Sequence, residues 1–506
     1  MLDQMQPAIE AASDDEEALG IYLALRKELD PDAESPAGLL HPKNDLESAY
    51  ARVGGIAGTP LRDSFHLGQT IANDYGRPYQ EGFDPITGFS TRSEAGRFSL
   101  YVRGEYQHAP SAPGYSQTLA GTLSCMDGIQ IANNPVVCGI NYVNNFNIVT
   151  IPGNPVQATI PAGPIASTND FRIVEANLSY RLLNHEISFG KSDHWMGPGQ
   201  GGSFLWSNNA ENIYTFQIDR TEPLYVPGLS LLTGPIRYEF FVGSLKGHAV
   251  PNDPWVHVEK ISIKPTENLE LGFSRSTIWG GEGHTPITLH TFLHSFFSFQ
   301  NTNGNEKNSR DDPGARFGTF DFSYRVPYLR KWLTFYNDSL VHDDVSPLAA
   351  PRHAGIRPGL YLARFPRFEH LDLRVEAADT DPDTGRSQNG QFLYWEQVQK
   401  QGYTNKGMML GDAIGRESKG GQAWLTYHLS PQEQVQFSYR NAKAPNDFIP
   451  GGATQNIFQA SVVKRIHKDF ELRGMAQYEG WKAPVYKPGL QKDGAVSLQV
   501  TWFPSK

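Results

Sequence analysis

The sequence predicts an all-β protein: a large antiparallel transmembrane β-barrel, preceded by a short α-helical segment. Three observations carry this reading. Charged residues make up 19% of the chain, while glycine (49 residues) and aromatics (12%) are abundant. That composition suits pleated, half-apolar surfaces joined by turns and does not suit disorder. From about Phe98 onward, apolar and polar residues alternate with a period of two. Tight turns also alternate with long loops, as they do in outer-membrane barrels. Across 506 residues no run approaches the roughly 18 consecutive apolar residues of a spanning helix, which excludes a helical membrane protein. A barrel needs no such run, because its 39% hydrophobic residues are shared between alternating faces.

The elements follow in chain order. Residues 1–60 read as a small helical segment, too short to bury much core of its own. Ile9 to Leu29 is rich in Ala and Glu, with Leu19, Leu23 and Leu25 on one rough face, and Pro31 and Pro36 stop it. A second helix is expected over Leu46–Val53, capped by Asn44 or Asp45 and ended by Gly54-Gly55. Met1 to Asp30 shows no basic start followed by an apolar core, so no export signal is visible there.

Residues 61–506 are assigned to the barrel. Phe98, Leu100, Val102 and Tyr106 alternate with Ser99, Tyr101, Arg103, Glu105 and Gln107. Val174, Ala176, Leu178 and Tyr180 form the next apolar face, followed by the turn Leu182–His185 and by Ile187 and Phe189. The pattern returns at Phe320, Phe322 and Tyr324. It recurs from Ala423 to Leu429, at Val435, Phe437 and Tyr439, and from Val496 to Trp502. Strands of about 9–11 residues would cross a bilayer when tilted. Turns such as Lys264–Asn268 and Ile466–Asp469 contrast with loops such as Ala109–Asp170 and Thr302–Pro313. With the helical segment periplasmic, the strand at Phe98 runs outward and Ala109–Asp170 is extracellular. On the polar face, Glu105, Glu175 and Asp321 are expected to pair with Arg103, Arg181 and Arg325 inside the lumen.

The net charge of -10 argues against a nucleic-acid partner. Cys125 and Cys138 share one loop; a disulfide and two unpaired thiols both fit their spacing. Two cysteines and no HExxH leave no zinc pattern, and no cofactor is expected. Asp379, Asp381 and Asp383 resemble part of a calcium loop but miss its spacing, so they rank as a weak candidate beside a solvated acidic turn.

The most distinctive stretch runs from Gly190 through Lys191, Asp193, Trp195 and Gly197-Pro198-Gly199 to Ser207-Asn208-Asn209-Ala210. Tryptophan faces stack on sugar C–H surfaces, and Asn and Asp supply donors and acceptors for hydroxyls. The plainer reading is a Gly-Pro bend with Asn satisfying local backbone. This stretch resembles the signature of the Wzi capsule assembly family, in which Gly-x-x-Asp precedes Trp-x-Gly-Pro-Gly and Ser-Asn-Asn-Ala. Gly68-Gln69-Thr70 with Asn73 to Pro78, Tyr101 to His108, Ser274-Arg275 with Trp279-Gly280-Gly281, and Gly407 to Gly415 agree with it. The resemblance extends from about Ser64 to the C-terminus. It implies an outer-membrane barrel of about eighteen strands, a periplasmic helical element and a lectin-like role in holding capsular polysaccharide at the cell surface.

The expected partners are capsular polysaccharide and outer-membrane lipid, with the barrel a monomer. The carbohydrate-binding candidates are Asp193, Trp195, Asn208, Asn209, Lys191, Arg275 and Trp279, and Arg364 is a further cation for an acidic glycan. A passive porin is the alternative and would show large conductance steps. A barrel enzyme is the third reading, but no GxSxG elbow is present and the chain is read as a non-enzyme.

Overall fold

The computed structural model describes residues 42–139, 148–152, 157–299, 302–343, 353–382 and 388–504. The helix expected over Ile9 to Leu29 lies outside these residues. Among those described, eighteen antiparallel strands close into one barrel, and the two-residue strand Gly82–Phe83 completes a 19-stranded sheet. The barrel strands are β1 Lys43–Ala57, β2 Ile86–Ala95, β3 Phe98–Ala109, β4 Thr168–Leu182, β5 His185–Lys191 and β6 Tyr214–Arg220. They continue as β7 Ile236–Ser244, β8 Trp255–Thr266, β9 Leu269–Trp279, β10 Ala315–Arg325, β11 Leu333–His342 and β12 Gly355–Leu362. The last six are β13 Leu371–Asp379, β14 Lys419–Ser430, β15 Glu433–Ala444, β16 Ala453–His467, β17 Phe470–Ala483 and β18 Lys487–Trp502. Strand lengths run from 7 to 16 residues, a wider spread than bilayer crossing alone dictates.

β1 corrects the sequence reading. Leu46–Val53, expected as a helix, lies within a 15-residue strand that pairs with β18 from Ala49↔Trp502 to Ala57↔Gly494 and with β2 on its other side. Ala, Glu and Arg favour a helix locally, but these residues supply the closing strand, whose backbone groups a helix would leave unpaired at two edges. The barrel therefore begins at Lys43.

Both rims follow from the connections. At one rim, Gly96-Arg97, Leu183-Asn184, Glu267-Asn268, Pro431-Gln432 and Lys468-Asp469 make two-residue turns. Leu183 and Asn184 both have positive φ, as a type I′ hairpin requires. The other rim carries the long connections 58–85, 110–167, 192–213, 280–314 and 380–418. The outward faces expose apolar side chains, among them Leu425, Phe437, Phe458 and Leu498. Near the short-turn rim this belt ends in exposed Phe98, Tyr324, Tyr427, Phe470 and Trp502; nearer the long-loop rim it ends in Tyr106, Phe171, Tyr214 and Tyr478. Two aromatic girdles around an apolar band are the surface of a barrel seated in a bilayer. Val174 departs from the expected face: the register shifts beside it, so Phe171 and Leu178 both point outward while Val174 is buried.

The lumen is filled. Segments 58–85, 192–213 and 388–418 fold inward from the long-loop rim and pack together. Phe65, Phe204, Trp206, Tyr394, Tyr403 and Leu410 form one apolar core with inward-facing Phe241, Val258, Ile278 and Phe317. The segments are stitched to one another: the Tyr75 amide donates to Asn208 O, Ser207 N to Leu410 O, and Met409 N to Ser64 Oγ. They are also clamped to the wall. Arg357 on β12 donates to Asp412 (2.6 Å) and to Glu376 on β13 (2.7 Å), and Arg440 on β15 donates to Gln69 O (2.8 Å). Above this plug, helix α1 (Gln117–Met126) buries Leu119, Leu123 and Met126 against Leu61, Phe448, Ile449 and Trp481. Cys125 and Cys138, in the same long connection, are disulfide-bonded.

Charge pairing in the lumen follows the expectation in part. Arg103 lies 3.4 Å from both Glu105 and Glu175. Arg181 meets Glu186 instead, and Asp321 meets Lys260 (3.0 Å) rather than Arg325. Residues four or six apart on one extended strand are about 13–20 Å apart, so cross-strand neighbours win. Gly272 lies between Asp321 and the Lys260 strand, and a Cβ there would sit 2.2 Å from Asp321 Oδ2.

Candidate functional site

The distinctive stretch leaves the wall where β5 ends. Lys191, the last residue of β5, is buried and donates to Glu211 (2.6 Å) and to Ile173 O (3.2 Å). Glu211 also accepts from Lys406 (2.8 Å) and Arg172. Burial would raise the Glu211 carboxyl, but these three cations hold it down at about 2. Beyond Lys191 the side chains alternate. Asp193 is exposed and accepts from the Tyr75 hydroxyl (2.9 Å). His194 turns into the core, stacked on Phe241 with ring centroids 4.1 Å apart; burial lowers it to about 4, so it is neutral at pH 7. Trp195 turns back out, its indole N–H donating to Gly199 O (2.9 Å) and its ring partly exposed.

The Gly-rich run is shaped by close approach. Glu376 accepts from Gln200 N and Gly201 N, and a Cβ on Gly202 would sit 2.4 Å from Asp412 Oδ2 and 2.8 Å from Arg357 Nη2. Gly197 to Gly202 therefore seat the plug on the Arg357–Asp412–Glu376 cluster, in line with the plainer reading of this bend. Asn209 is fully buried: its carboxamide donates to Met409 O (3.2 Å) and accepts from Asn73 N (3.0 Å). Asn208 is half-buried and ties to Tyr75 through its carbonyl.

The structure therefore divides the candidate set. Asp193 and Trp195 stand together, presented to open space. Lys191, Asn208 and Asn209 are framework that positions them. Arg275 and Trp279 point outward from β9, on the opposite side of the wall, and Arg364 lies in the β12–β13 connection at the short-turn rim. Asp379 and Asp381 face Lys419 Nζ at 3.4 and 3.3 Å, and Asp383 lies outside the described residues. Among the described residues no group of three or more His, Cys, Asp or Glu is placed to hold a metal ion.

Tyr75 links Asp193 to a cavity of about 500 Å³ between segment 71–79 and the wall strands β1 and β16–β18. Its polar lining includes Arg52, Asn73, Arg103, Gln459, Arg473 and Gln499. With Arg77, four guanidinium groups line it beside Asp74 and Asp84, and Glu105, Glu175 and Glu471 pair with Arg77, Arg103 and Arg473 at its edge. Asp74 accepts from Arg52 (3.0 Å), Arg77 and Tyr79; although burial opposes ionisation, the Arg77 and Arg52 charges hold its carboxyl well below the usual range. Arg52 Nε and Asn73 Oδ1 have no protein partner. A polar chamber of this size, with paired guanidinium groups and hydrogen-bonding groups unused, fits a small polyhydroxylated or anionic ligand. Sequence reasoning placed Arg103 in the lumen and noted the Asn73 to Pro78 block, but it missed Arg52 and Arg473. Their signal was strand parity, and both sit where that parity was misread or not traced.

Comparison with known proteins gives three findings. The family model for capsule assembly protein Wzi matches residues 51–495. A Klebsiella pneumoniae protein described as an uncharacterized 55.8 kDa protein in the cps region is 25% identical over 158 residues, 31% of this chain. That match spans only 30% of the relative's own length. Among solved structures, Escherichia coli Wzi, described as an outer membrane protein involved in group 1 capsule assembly and a carbohydrate-binding β-barrel, superposes with a TM-score of 0.62. It is 16% identical, over 91% of this chain and 85% of that one, a likeness of fold.

Proposed function

We propose a function from one premise: this chain belongs to the Wzi family of capsule assembly proteins. It is an outer-membrane barrel that binds an acidic exopolysaccharide and retains it at the cell surface. The observation that carries this reading is the filled lumen. Three inserted segments share a core with the wall and leave an arginine-lined chamber. A binding protein needs such a chamber, whereas a solute channel needs a continuous aqueous path. In this reading Tyr75, Asp193 and Trp195 present one face to the glycan, and the guanidinium N–H groups of Arg52, Arg103 and Arg473 donate to its oxygens. Trp195 stacks on a sugar ring, and Asn73 and Gln499 satisfy hydroxyls. The chain acts as a binder, not an enzyme. In this reading the short-turn rim and the start of β1 lie on the periplasmic side.

The test is made in cells. A strain lacking this gene should shed capsule into the medium, and the wild-type gene should restore cell-bound capsule. A version carrying Trp195→Ala with Arg103→Ala should be inserted normally yet fail to restore it. Normal cell-bound capsule in the deletion strain would remove the proposal.

A further inference from the structure

The outer wall carries a feature that glycan binding leaves unused. On β8, Lys260 and Val258 face the lumen, so Ile263, Ile261, Glu259 and His257 face outward in that order from the short-turn end. Their outward partners on β9 are Leu271, Phe273, Arg275 and Thr277. At a tilt near 40°, each step of two residues climbs about 5 Å, and an apolar band of ~25 Å needs about five such steps. β18 supplies four apolar side chains in succession, Trp502, Val500, Leu498 and Val496. On β8 and β9 the band instead breaks after two apolar steps, at Glu259 with Arg275 and then His257 with Thr277.

Helix α2 (Leu289–Phe297), from connection 280–314, lies over this break. Its N-terminus is closed by a Thr288–Thr291 capping box. Its C-terminal carbonyls accept from the Arg275 guanidinium: Ser295 O at 2.7 Å, Phe296 O at 3.0 Å and Ser298 O at 2.9 Å. His257 shares a hydrogen bond of 3.1 Å with Ser295, and Phe292 and Phe296 pack on outward-facing Phe240. The polar wall groups are thereby covered. The opposite face of α2 carries Leu289, Leu293 and Phe297 at spacing i, i+4, i+8, which are 73%, 42% and 64% exposed. Beside its C-terminus a slot of about 370 Å³ is lined by Ile261, Phe273, Phe296, Phe299, Arg275 and Gly318. Glu259, Arg316 and Asp343 also border it, but the surface it exposes is mostly apolar and is continuous with exposed Ile261 and Phe273 of the belt below.

We propose that α2 is a membrane-seated strap on the outer wall, and that its slot holds an acyl chain of an outer-leaflet lipid. The helix replaces the missing upper part of the belt, and Leu289, Leu293 and Phe297 carry the hydrocarbon-facing surface across the gap. An exposed apolar stripe continuous with a lipid-facing band needs an apolar solvent, not water.

The test uses single-cysteine variants in proteoliposomes. Both native cysteines are bonded to each other, so an introduced thiol is the sole labelling site. Spin labels are placed at Leu293, at Phe273 as the belt reference, and at exposed Thr118 on α1 as the water reference. The label at Leu293 should match Phe273 within about two-fold in its ratio of oxygen to nickel-chelate collisions, and exceed Thr118 at least five-fold. A Leu293 ratio equal to that of Thr118 overturns the strap. For the slot, native mass spectrometry in detergent should show retained lipid on the wild type and its loss in Gly318→Trp. Ile261→Trp fills the slot from the other wall and should give the same loss if Gly318→Trp does not fold. Equal lipid retention by a folded slot-filled variant, or no lipid on the wild type, overturns the acyl site.

Discussion

At the scale of single residues, charge burial decides which side chains are available. His66 sits fully buried between Asp63 (3.0 Å) and Asp127 (3.0 Å), and Arg416 donates to the far oxygen of Asp127 (2.6 Å). Burial alone would lower His66, but the two carboxylates outweigh it and raise it to about 9. A raised folded pKa stabilises below the unfolded value near 6.5, and that stability is lost as pH climbs through about 9. Rising from 6.5 to about 9 corresponds to about 3 kcal/mol. Amide exchange in segment 58–85 should therefore accelerate between pH 7 and 10 beyond the intrinsic rate, and His66→Gln should abolish the excess. Equal pH dependence in both proteins would contradict the network. Lys191→Ala and Trp195→Ala should separate framework from contact. Removing Lys191 weakens the buried Glu211 cluster and lowers the thermal midpoint, whereas removing Trp195 leaves the midpoint within 1–2 °C and weakens glycan binding about ten-fold. A titration and a melt on each variant check this. Sequence reasoning grouped these two residues because both lie in one motif. It could not see that Lys191 ends a strand facing Glu211, since the partner's position depends on where segment 192–213 turns back.

At the scale of elements, alternation was legible wherever both faces showed it. The stretches at Phe98, Phe320, Ala423, Val435 and Val496 are strands at those positions, and the Leu182–His185 and Ser430–Gln434 turns are hairpins. It was misleading where tertiary pairing overrode local preference. β1 carries small outward residues, Ala49, Ala51 and Gly55, that give little hydrophobic signal, while its Ala, Glu and Arg read as helix formers. The bulge at Val174 likewise leaves no mark in a period-two count. The plug was not legible at all, because its residues have no period: Phe65, Trp206 and Tyr403 meet only after three loops fold inward. Arg357 is the clamp between the two levels. Its removal leaves Asp412 and Glu376 buried without their cation, at a cost of about 3–5 kcal/mol. Arg357→Ala should loosen segments 196–206 and 410–415 and give conductance steps in planar bilayers where the wild type is silent. A silent variant with unchanged protease resistance would show that the plug is held elsewhere.

At the scale of the whole molecule, one architecture reconciles the modest hydrophobic content with a membrane site. The outer face supplies the belt and two aromatic girdles, and the inner face supplies charge. The long loops spend their apolar residues on a second core inside the lumen. A net charge of -10 and an acidic ligand are compatible because four arginines gathered in one chamber bring its local charge near balance while the chain as a whole is acidic. The central claim is that this chamber binds an anionic glycan, and direct titration tests it. Purified protein in detergent is titrated calorimetrically with capsular polysaccharide fragments beside the Arg52→Ala, Arg103→Ala, Arg473→Ala triple variant. The account predicts saturable binding that weakens with salt and falls at least ten-fold in a triple variant of wild-type thermal stability. Binding of equal strength by both proteins, or none by the wild type, would contradict it.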